Sequence, residues 1–237
     1  MTAIDPVIGA LLERRRAVSA ERSVLAAISG IDGSGKGYIT SQLAVGLARH
    51  GVKVANINID GWLNLPARRF SVTAPAEHFY AHAIRFPELF DQLVLPLKAH
   101  RSHRSVADFA EETATAYRPH CYQFDDVDII LLEGIFLLKR EHRAHFDVAL
   151  WVDCSFETAL ERALHRGQEG LPRDETIRAY QTIYFPAQRI HFARDDPRRA
   201  ADTLVSNDPR LTAAGPSAGE RPPSAGGDGT APAPGGA

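Results

Sequence analysis

The feature that most constrains the fold is a glycine-rich segment at residues 30–37, which reads Gly-Ile-Asp-Gly-Ser-Gly-Lys-Gly. An apolar run at residues 24–28 precedes it, and a segment with helical patterning follows it. Glycines let a backbone wrap closely around an anion, and the N–H groups at the start of the following helix point toward that anion. This context predicts a P-loop that binds the phosphates of a nucleoside triphosphate, with ATP as the first candidate. The alternative is a chance glycine turn.

Within this loop, Lys36 places a positive charge near the β- and γ-phosphates. The Ser or Thr that normally follows the lysine, and reaches Mg²⁺ with its hydroxyl, is replaced by Gly37. Thr40 lies about 4.5 Å further along the helix axis, too far to replace that ligand. Water, or the phosphates together with acidic residues, would then hold the ion, unless the activity is weakened or lost. The nucleotide contacts predicted in and beside the loop are Gly30, Asp32, Gly33, Ser34, Gly35, Lys36, Gly37 and Tyr38.

Short apolar runs alternate with helical patterns along the chain. The runs cover residues 24–28, 52–59, 127–132, 148–152 and, more weakly, 203–205. Runs without polar alternation are typical of strands covered on both faces, so we predict an α/β fold of the P-loop NTPase type with a mostly parallel central sheet and helices on both faces. Predicted helices cover residues 36–50, 75–84, 87–100, 138–146 and 155–169, and residues 101–124 have mixed patterning compatible with a hairpin.

The domain organisation follows from length and composition. We predict an amphipathic N-terminal helix within residues 1–22, one catalytic domain at 23–210, and an Ala/Gly/Pro-rich tail at 211–237 that is disordered because it lacks large apolar side chains. A net charge of −2 argues against nucleic-acid or membrane partners. Two cysteines without metal or disulfide spacing, and no apolar segment of about 20 residues, favour a cytoplasmic location.

Two acidic residues stand where apolar runs end. Asp60 follows the second run, at the kind of strand end where open α/β sheets bind ligands, and is a candidate general base or metal partner. Its alternative is a turn aspartate before a glycine. Glu133 ends the run that starts at Asp128 and is the candidate Walker B carboxylate for Mg²⁺, with a structural cap as the alternative. Asp128 lies at the start of that strand, which is the wrong end for a Walker B carboxylate.

Arginines follow on the predicted helix at 155–169. Arg162 and Arg166 are four residues apart and share a helix face, and Arg173 follows a Gly-Leu-Pro break. Arginines on a closing lid neutralise the charge that spreads over a transferred phosphoryl group, so we assign Arg166 to catalysis and the other two to the nucleotide. The alternative is surface pairing with nearby glutamates.

Together these features resemble the uridine kinase and phosphoribulokinase group of P-loop kinases, over about residues 23–208. The resemblance implies transfer of the γ-phosphate of ATP to a hydroxyl of a small molecule, with Mg²⁺, Asp60 as base, Lys36 on the phosphates and the arginines in a lid. At residues 107–109 the chain has Ala-Asp-Phe where uridine kinases have Tyr-Asp-Phe. Trp62, Phe79 and Tyr80 are candidate stacking groups for a nucleoside, or core residues.

Three functional hypotheses remain at this stage. The first is a uridine kinase-like enzyme that converts a nucleoside to its 5'-monophosphate. The second is a P-loop kinase for another acceptor, such as pantothenate or a sugar phosphate. The third is a nucleotide-binding switch or degenerate kinase that lacks chemistry because residue 37 has no hydroxyl. The sequence also allows a homo-oligomer and does not determine the oligomeric state.

Overall fold

The central sheet has five strands, all parallel. The structure is a computed structural model that describes residues 4–213, so most of the predicted disordered tail lies outside the described residues. The strand order is β2-β5-β1-β6-β7. The strands are β1 (Val24–Gly30), β2 (Val54–Asn58), β5 (Ile129–Gly134), β6 (Val148–Asp153) and β7 (Thr203–Ser206), and β3 (His103–Phe109) and β4 (Arg118–Phe124) form a separate antiparallel hairpin. All five predicted runs are strands, and the hairpin lies in the segment of mixed patterning.

Helices cover both faces of the sheet, as predicted. They are α1 (Asp5–Ala17), α2 (Lys36–Ala48), α3 (Pro66–Arg69), α4 (Pro75–His82), α5 (Phe86–Leu89), α6 (Leu95–His100), α7 (Phe156–Arg166), α8 (Arg173–Ala179), α9 (Phe185–Asp195), α10 (Pro197–Ala200) and α11 (Pro209–Ala213). Alternate residues of β1 enter different layers of the core: Val24, Ala26 and Ile28 pack in the layer of α1 and α2, and Leu25 and Ala27 pack in the layer of α4 to α6 and α9. This arrangement explains why the strand has no polar alternation.

Proline splits the predicted helix at residues 87–100. A π-helical turn at Phe90–Val94 separates α5 from α6, and Pro96 is the second residue of α6. Proline has no N–H to donate to the carbonyl four residues earlier. That carbonyl, of Gln92, instead lies 2.8 Å from the Nε2 atom of His103 at the start of the hairpin. The break therefore attaches the hairpin to the helical layer.

The helix predicted at residues 138–146 is wrong. Only a single 3₁₀ turn, Arg143–His145, forms there. Leu137, Leu138 and Lys139 are consecutive and all buried, which no single face of a helix at the surface of a sheet can provide. The chain also enters this segment through Phe136, whose φ of 59° is left-handed. Conversely, the helical segment from α8 to α9 was not predicted.

No helix in the part of the chain that the structure describes is long and apolar enough to span a membrane. Both cysteines, Cys121 and Cys154, are free thiols.

Asp147 ties the start of the sheet together. Its carboxylate accepts hydrogen bonds from Arg22 at 2.8 and 2.9 Å and from the backbone N–H of Leu25 at 3.0 Å, and the ammonium of Lys98 lies 3.3 Å away. Burial alone would raise the pKa of Asp147, but these bonds outweigh it and lower the pKa to about 2. The ionised carboxylate thus stabilises the junction of β1, β6 and α6.

We predict that Asp147→Asn lowers the free energy of unfolding at pH 7 by roughly 2 kcal/mol, because each unit of pKa depression corresponds to about 1.4 kcal/mol. The pKa is lower in the folded than in the unfolded state, so this contribution is present above about pH 4 and is lost as the pH falls toward about 2. Urea unfolding at a series of pH values measures it. The control Asp126→Asn, which removes the ion pairs of an exposed aspartate with Lys53 and Arg101, should change less.

Candidate active site

The glycine-rich loop joins β1 to α2 and has the backbone that its sequence predicts. Gly33 and Gly35 have φ values of 74° and 86°, which side chains rarely tolerate. A Cβ atom on Gly33 would lie 2.5 Å from the carbonyl oxygen of Ala159 in α7, and a Cβ atom on Gly35 would lie 2.1 Å from the Nδ2 atom of Asn207. Both glycines are therefore required by close approach as well as by conformation.

Two side chains from distant parts of the chain hold this loop in place. Arg162 in α7 donates to the carbonyl of Ser34 at 3.1 Å and to the carbonyl of Asn207 at 2.8 Å, and the side chain of Asn207 donates to the same Ser34 carbonyl at 2.9 Å. Arg162 lines the cleft above the loop, and its guanidinium is largely engaged with the carbonyls of Ser34 and Asn207. Ser34 itself is buried, and its N–H donates to the carbonyl of Ile31 at 3.1 Å, so this residue serves to fix the loop.

The loop opens into a cleft of about 370 Å³, which we call the loop cleft. Its lining residues include most of the predicted loop contacts, both predicted acids and two arginines; they include Asp32, Gly33, Gly35, Lys36, Gly37, Asp60, Glu133, Arg162 and Arg166. Tyr38 is 63% exposed and, like the exposed Arg173 at the start of α8, is absent from the residues lining the cleft. Gly30 and Ser34 are likewise absent from this lining, so these four nucleotide contacts stay predictions.

Lys36 and Glu133 face the cleft from its floor. Lys36 is 7% exposed, and its ammonium donates to the carbonyl of Ile31 at 3.1 Å. Glu133 is 8% exposed, and its Oε2 atom would lie 3.6 Å from a Cβ atom on Gly37. Burial raises the pKa of Glu133, while the charge of Lys36 opposes that rise. The position next to the lysine therefore adjoins a carboxylate and has room for a side chain.

Asp60 lies in a 3₁₀ turn, Ile59–Gly61, directly after β2. Its N–H donates to the side chain of Asn58 at 2.7 Å, which fixes the turn. Asp60 is an exposed residue that lines the cleft, and partial desolvation by the cleft walls raises the pKa of its carboxyl. The charge of Lys36 acts in the opposite direction, and that of Asp32 adds to the rise. Asp128, by contrast, bonds to Arg15 and Arg101 at the opposite end of β5, as the sequence predicted.

A second group of residues links the loop to the segment after α7. Asp32 accepts hydrogen bonds from Arg166 at 3.4 Å and from the hydroxyl of Tyr180, which also lies 2.8 Å from Glu169. Burial would raise the pKa of Asp32, but the charges of Lys36 and Arg166 and the Tyr180 hydrogen bond lower it. Residues 167–172 connect α7 to α8 over this cluster, where a lid was expected.

A neighbouring cavity of about 520 Å³ lies between the hairpin and the edge strand β2, and we call it the hairpin cavity. Asn58, Asp60, Glu112 and Gln168 line both this cavity and the loop cleft. Aromatic and histidine side chains form much of the remaining wall, namely Phe109, His120, Tyr122 and Phe124. Of the predicted stacking groups, Trp62 is fully buried behind Tyr122, Tyr80 is buried against Asp195, and Phe79 lines the loop cleft.

Glu112, Glu169 and Tyr180 line or support the site and were not identified from the sequence. Glu112 follows the hairpin strand β3 within a pair of glutamates, which is a weak signal for a ligand site. No sequence pattern identifies Glu169 and Tyr180 as site residues, because their approach to Asp32 depends on how the segment between α7 and α9 folds back onto the loop.

The carboxylate oxygens of the cleft suit a magnesium ion that is held partly by the protein and partly by a nucleotide. Within residues 4–213, no group of three or more His, Cys, Asp or Glu side chains could hold a metal ion by itself. Glu133 and Asp60 instead offer carboxylate oxygens beside the loop, and Mg²⁺ in phosphotransfer sites takes its remaining ligands from phosphates and water. These residues therefore suit an ion that arrives with a nucleotide.

Several solved structures have a similar fold. A possible uridine kinase from Bacillus stearothermophilus matches with 23% identity and a TM-score of 0.66, covering 86% of this chain and 97% of that one. A candidate fructose transport system kinase from Silicibacter sp. TM1040 matches with 19% identity and a TM-score of 0.66, covering 86% and 98%. Phosphoribulokinase from Rhodobacter spheroides matches with 17% identity and a TM-score of 0.56, covering 81% and 72%.

These similarities confirm the predicted fold, which is that of the P-loop kinases resembling uridine kinase and phosphoribulokinase. No protein-family model and no curated protein sequence matches the chain. Because one fold hosts many activities, the reaction has to be argued from the residues of the site.

We predict that Gly33→Ala weakens ATP binding at least tenfold and lowers the melting temperature, because the added methyl meets the Ala159 carbonyl and the backbone is left-handed. Gly37→Ala is the matched control, since its methyl enters ordinary contact distance of Glu133. Calorimetric titration with ATP and thermal unfolding measure both variants. Equal ATP affinity in Gly33→Ala and the parent would contradict the assignment of the loop.

Proposed function

We propose that this chain is an ATP-dependent kinase that transfers the γ-phosphate to a hydroxyl group of a small molecule. The observation that carries the proposal is the position of Asp60, which lines both the loop cleft and the hairpin cavity. Direct transfer needs a donor phosphate and an acceptor hydroxyl to meet beside one base. A phosphate-binding loop and a separate cavity that share a carboxylate suit this requirement.

Asp60 is the proposed general base. It accepts the proton of the acceptor hydroxyl as the oxygen attacks the γ-phosphorus. A base is most effective when its pKa lies near the working pH, and the desolvation that raises the pKa of Asp60 shifts it in that direction. Its N–H bond to Asn58 holds the turn, so the carboxylate is oriented before the acceptor binds.

Lys36 and Arg166 are the proposed phosphate-binding cations. Lys36 has three donors and gives one to Ile31, which leaves two for phosphate oxygens. Arg166 makes two long ionic contacts, 3.4 Å to Asp32 and 3.6 Å to Glu169, and its side chain is 45% exposed. These contacts hold its guanidinium beside the loop cleft, within reach of a transferring phosphoryl group. Charge that develops on that group is stabilised by such fixed cations.

Magnesium would be held by Glu133 and Asp60 together with the nucleotide. The ion would supply positive charge that neutralises the phosphates. Glu133 is suited to this position because it is buried and ends the strand next to the loop. Gly37 contributes no ligand, so the ion depends more heavily on these carboxylates and on water.

A nucleoside is the first candidate for the acceptor. The aromatic wall of the hairpin cavity offers faces on which a base can stack. In the loop cleft, Gln188 is 1% exposed and neither amide atom has a hydrogen-bond partner within the described residues. A buried amide without partners is costly, and a polar ligand relieves that cost. The name of the Bacillus stearothermophilus structure supports the same choice.

Gly37 favours one alternative, a nucleotide-binding switch or degenerate kinase. A chain that binds ATP but lacks the usual magnesium hydroxyl would act by binding alone. This candidate predicts ATP binding without turnover on any acceptor.

The direct test of the kinase proposal is ADP release from Mg·ATP, first without acceptor and then with uridine, cytidine, pantothenate and ribulose 5-phosphate. We predict that ADP release depends on one of these acceptors and that Asp60→Asn lowers kcat about 100-fold or more, as expected for loss of a general base. The variant should retain its affinity for ATP measured without Mg²⁺, because Asp60 is proposed to contact the ion and the acceptor. Equal turnover in Asp60→Asn would exclude the proposed base, and ATP binding without turnover on any acceptor would support the switch.

A second test concerns the missing hydroxyl. We predict that Gly37→Ser lowers the Mg²⁺ concentration for half-maximal rate about fivefold, because the new side chain adjoins Glu133 and adds one ligand. Gly37→Ala separates the hydroxyl from the effect of any side chain. Activity that appears in Gly37→Ser but is absent from the parent would identify the parent as degenerate.

A further inference from the structure

The hairpin cavity has an unusual charge distribution for a site next to a phosphate-binding loop. Its charged lining residues are Asp60, Glu111 and Glu112, and the lining includes no lysine or arginine. The other polar groups are amides, two hydroxyls and a histidine. The cations of the loop cleft belong to the phosphate side, at Lys36 and on α7. An acceptor in this cavity therefore meets carboxylates and uncharged groups.

Glu112 is the carboxylate that the fold holds most firmly. Arg69 in α3 is 2% exposed and binds it with two nitrogens: Nη1 donates to Oε2 at 3.2 Å and Nη2 lies 3.1 Å from Oε1. Nη2 also donates to the Glu112 carbonyl at 2.7 Å. Such a two-point contact fixes the plane of the carboxylate as well as its position.

The Arg69 guanidinium holds Glu112 and is not available to a ligand. The guanidinium packs 4.8 Å from the ring centre of Phe70, and Arg69 lines neither the loop cleft nor the hairpin cavity. It therefore orients Glu112 without offering a donor to a ligand. Glu111 differs, because its side chain is 67% exposed and pairs with Arg118 at the surface.

From this arrangement we infer that Glu112, oriented by Arg69, is a specificity-determining residue that selects uncharged hydroxyl compounds as acceptors and disfavours phosphate esters and carboxylates. The inference deepens the proposed function and rests on it for the reaction. An ionised carboxylate only accepts hydrogen bonds, so it binds O–H and N–H groups of a ligand. Arg69 offsets part of the Glu112 charge from outside the cavity, but the lining itself presents carboxylates and no lysine or arginine, so an anionic ligand is repelled. This repulsion is stronger in a partly desolvated site than in water.

Matched acceptor pairs test the inference, because the members of each pair differ in one anionic group. Suitable pairs are ribulose with ribulose 5-phosphate and pantothenol with pantothenate, assayed with Mg·ATP at pH 8 alongside uridine and cytidine. For wild type we expect kcat/KM to be at least tenfold higher for the neutral member of a pair. Higher kcat/KM for the anionic member would overturn the inference while leaving the kinase proposal intact.

Variants locate the selection at residue 112. Glu112→Gln should raise the KM for the neutral acceptor about tenfold, leave the KM for ATP unchanged, and reduce discrimination within a pair. Glu112→Asp, which keeps the charge, should retain the discrimination even if the affinity falls. Glu141→Gln, at an exposed glutamate outside both cavities, is the control for removing one negative charge. Unchanged discrimination in a folded Glu112→Gln would refute the role of this residue.

If no acceptor is phosphorylated, calorimetric binding of the same pairs replaces turnover, in the presence of a non-hydrolysable ATP analogue. Binding of the neutral member with no binding of the anionic member, weakened in Glu112→Gln, would support the inference while the kinase proposal fails. Binding of the anionic member at equal or higher affinity, or binding of neither, would overturn it.

Discussion

The parallel register of β1, β2 and β5 determines where the glycine-rich loop, Asp60 and Glu133 lie. Ile28 of β1 and Asn58 of β2 both pair with Glu133 of β5, so the three strands end at one edge. The glycine-rich loop, the Asp60 turn and Glu133 then meet within a single cleft. Backbone hydrogen bonding between the strands therefore brings the glycine-rich loop and the two carboxylates to one edge of the sheet, without any contact between side chains of the site.

The loop is also held by residues on the β6 and β7 side of β1. Arg162 and Asn207 share the Ser34 carbonyl, and Asn207 directly follows β7. The left-handed glycines allow this approach, since a side chain at Gly35 would occupy the position of the Asn207 amide. The conformation of the loop thus depends on strands and helices that lie more than a hundred residues apart in the sequence.

The strands and the position of the loop could be predicted because they are encoded locally, in apolar runs and in glycine spacing. The same reasoning found Asp60 and Glu133, since each stands at the end of such a run. It failed at residues 138–146, where polar and apolar residues mimic a helix but three consecutive side chains are buried. The sequence did not identify Glu112, Arg69 or Tyr180, because their roles arise from tertiary contacts. Glu112, next to the hairpin, contacts Arg69 in α3, and Tyr180, between α8 and α9, contacts Asp32.

The central claim is that Asp60 joins a nucleotide site to a site for an uncharged hydroxyl compound. The most direct measurement is to follow the γ-phosphorus of Mg·ATP by ³¹P NMR in the presence of a defined mixture of neutral hydroxyl compounds that includes uridine and cytidine. The account predicts a new phosphate monoester resonance that grows in step with ADP. Formation of inorganic phosphate alone, or ATP that binds and remains unchanged, would contradict it.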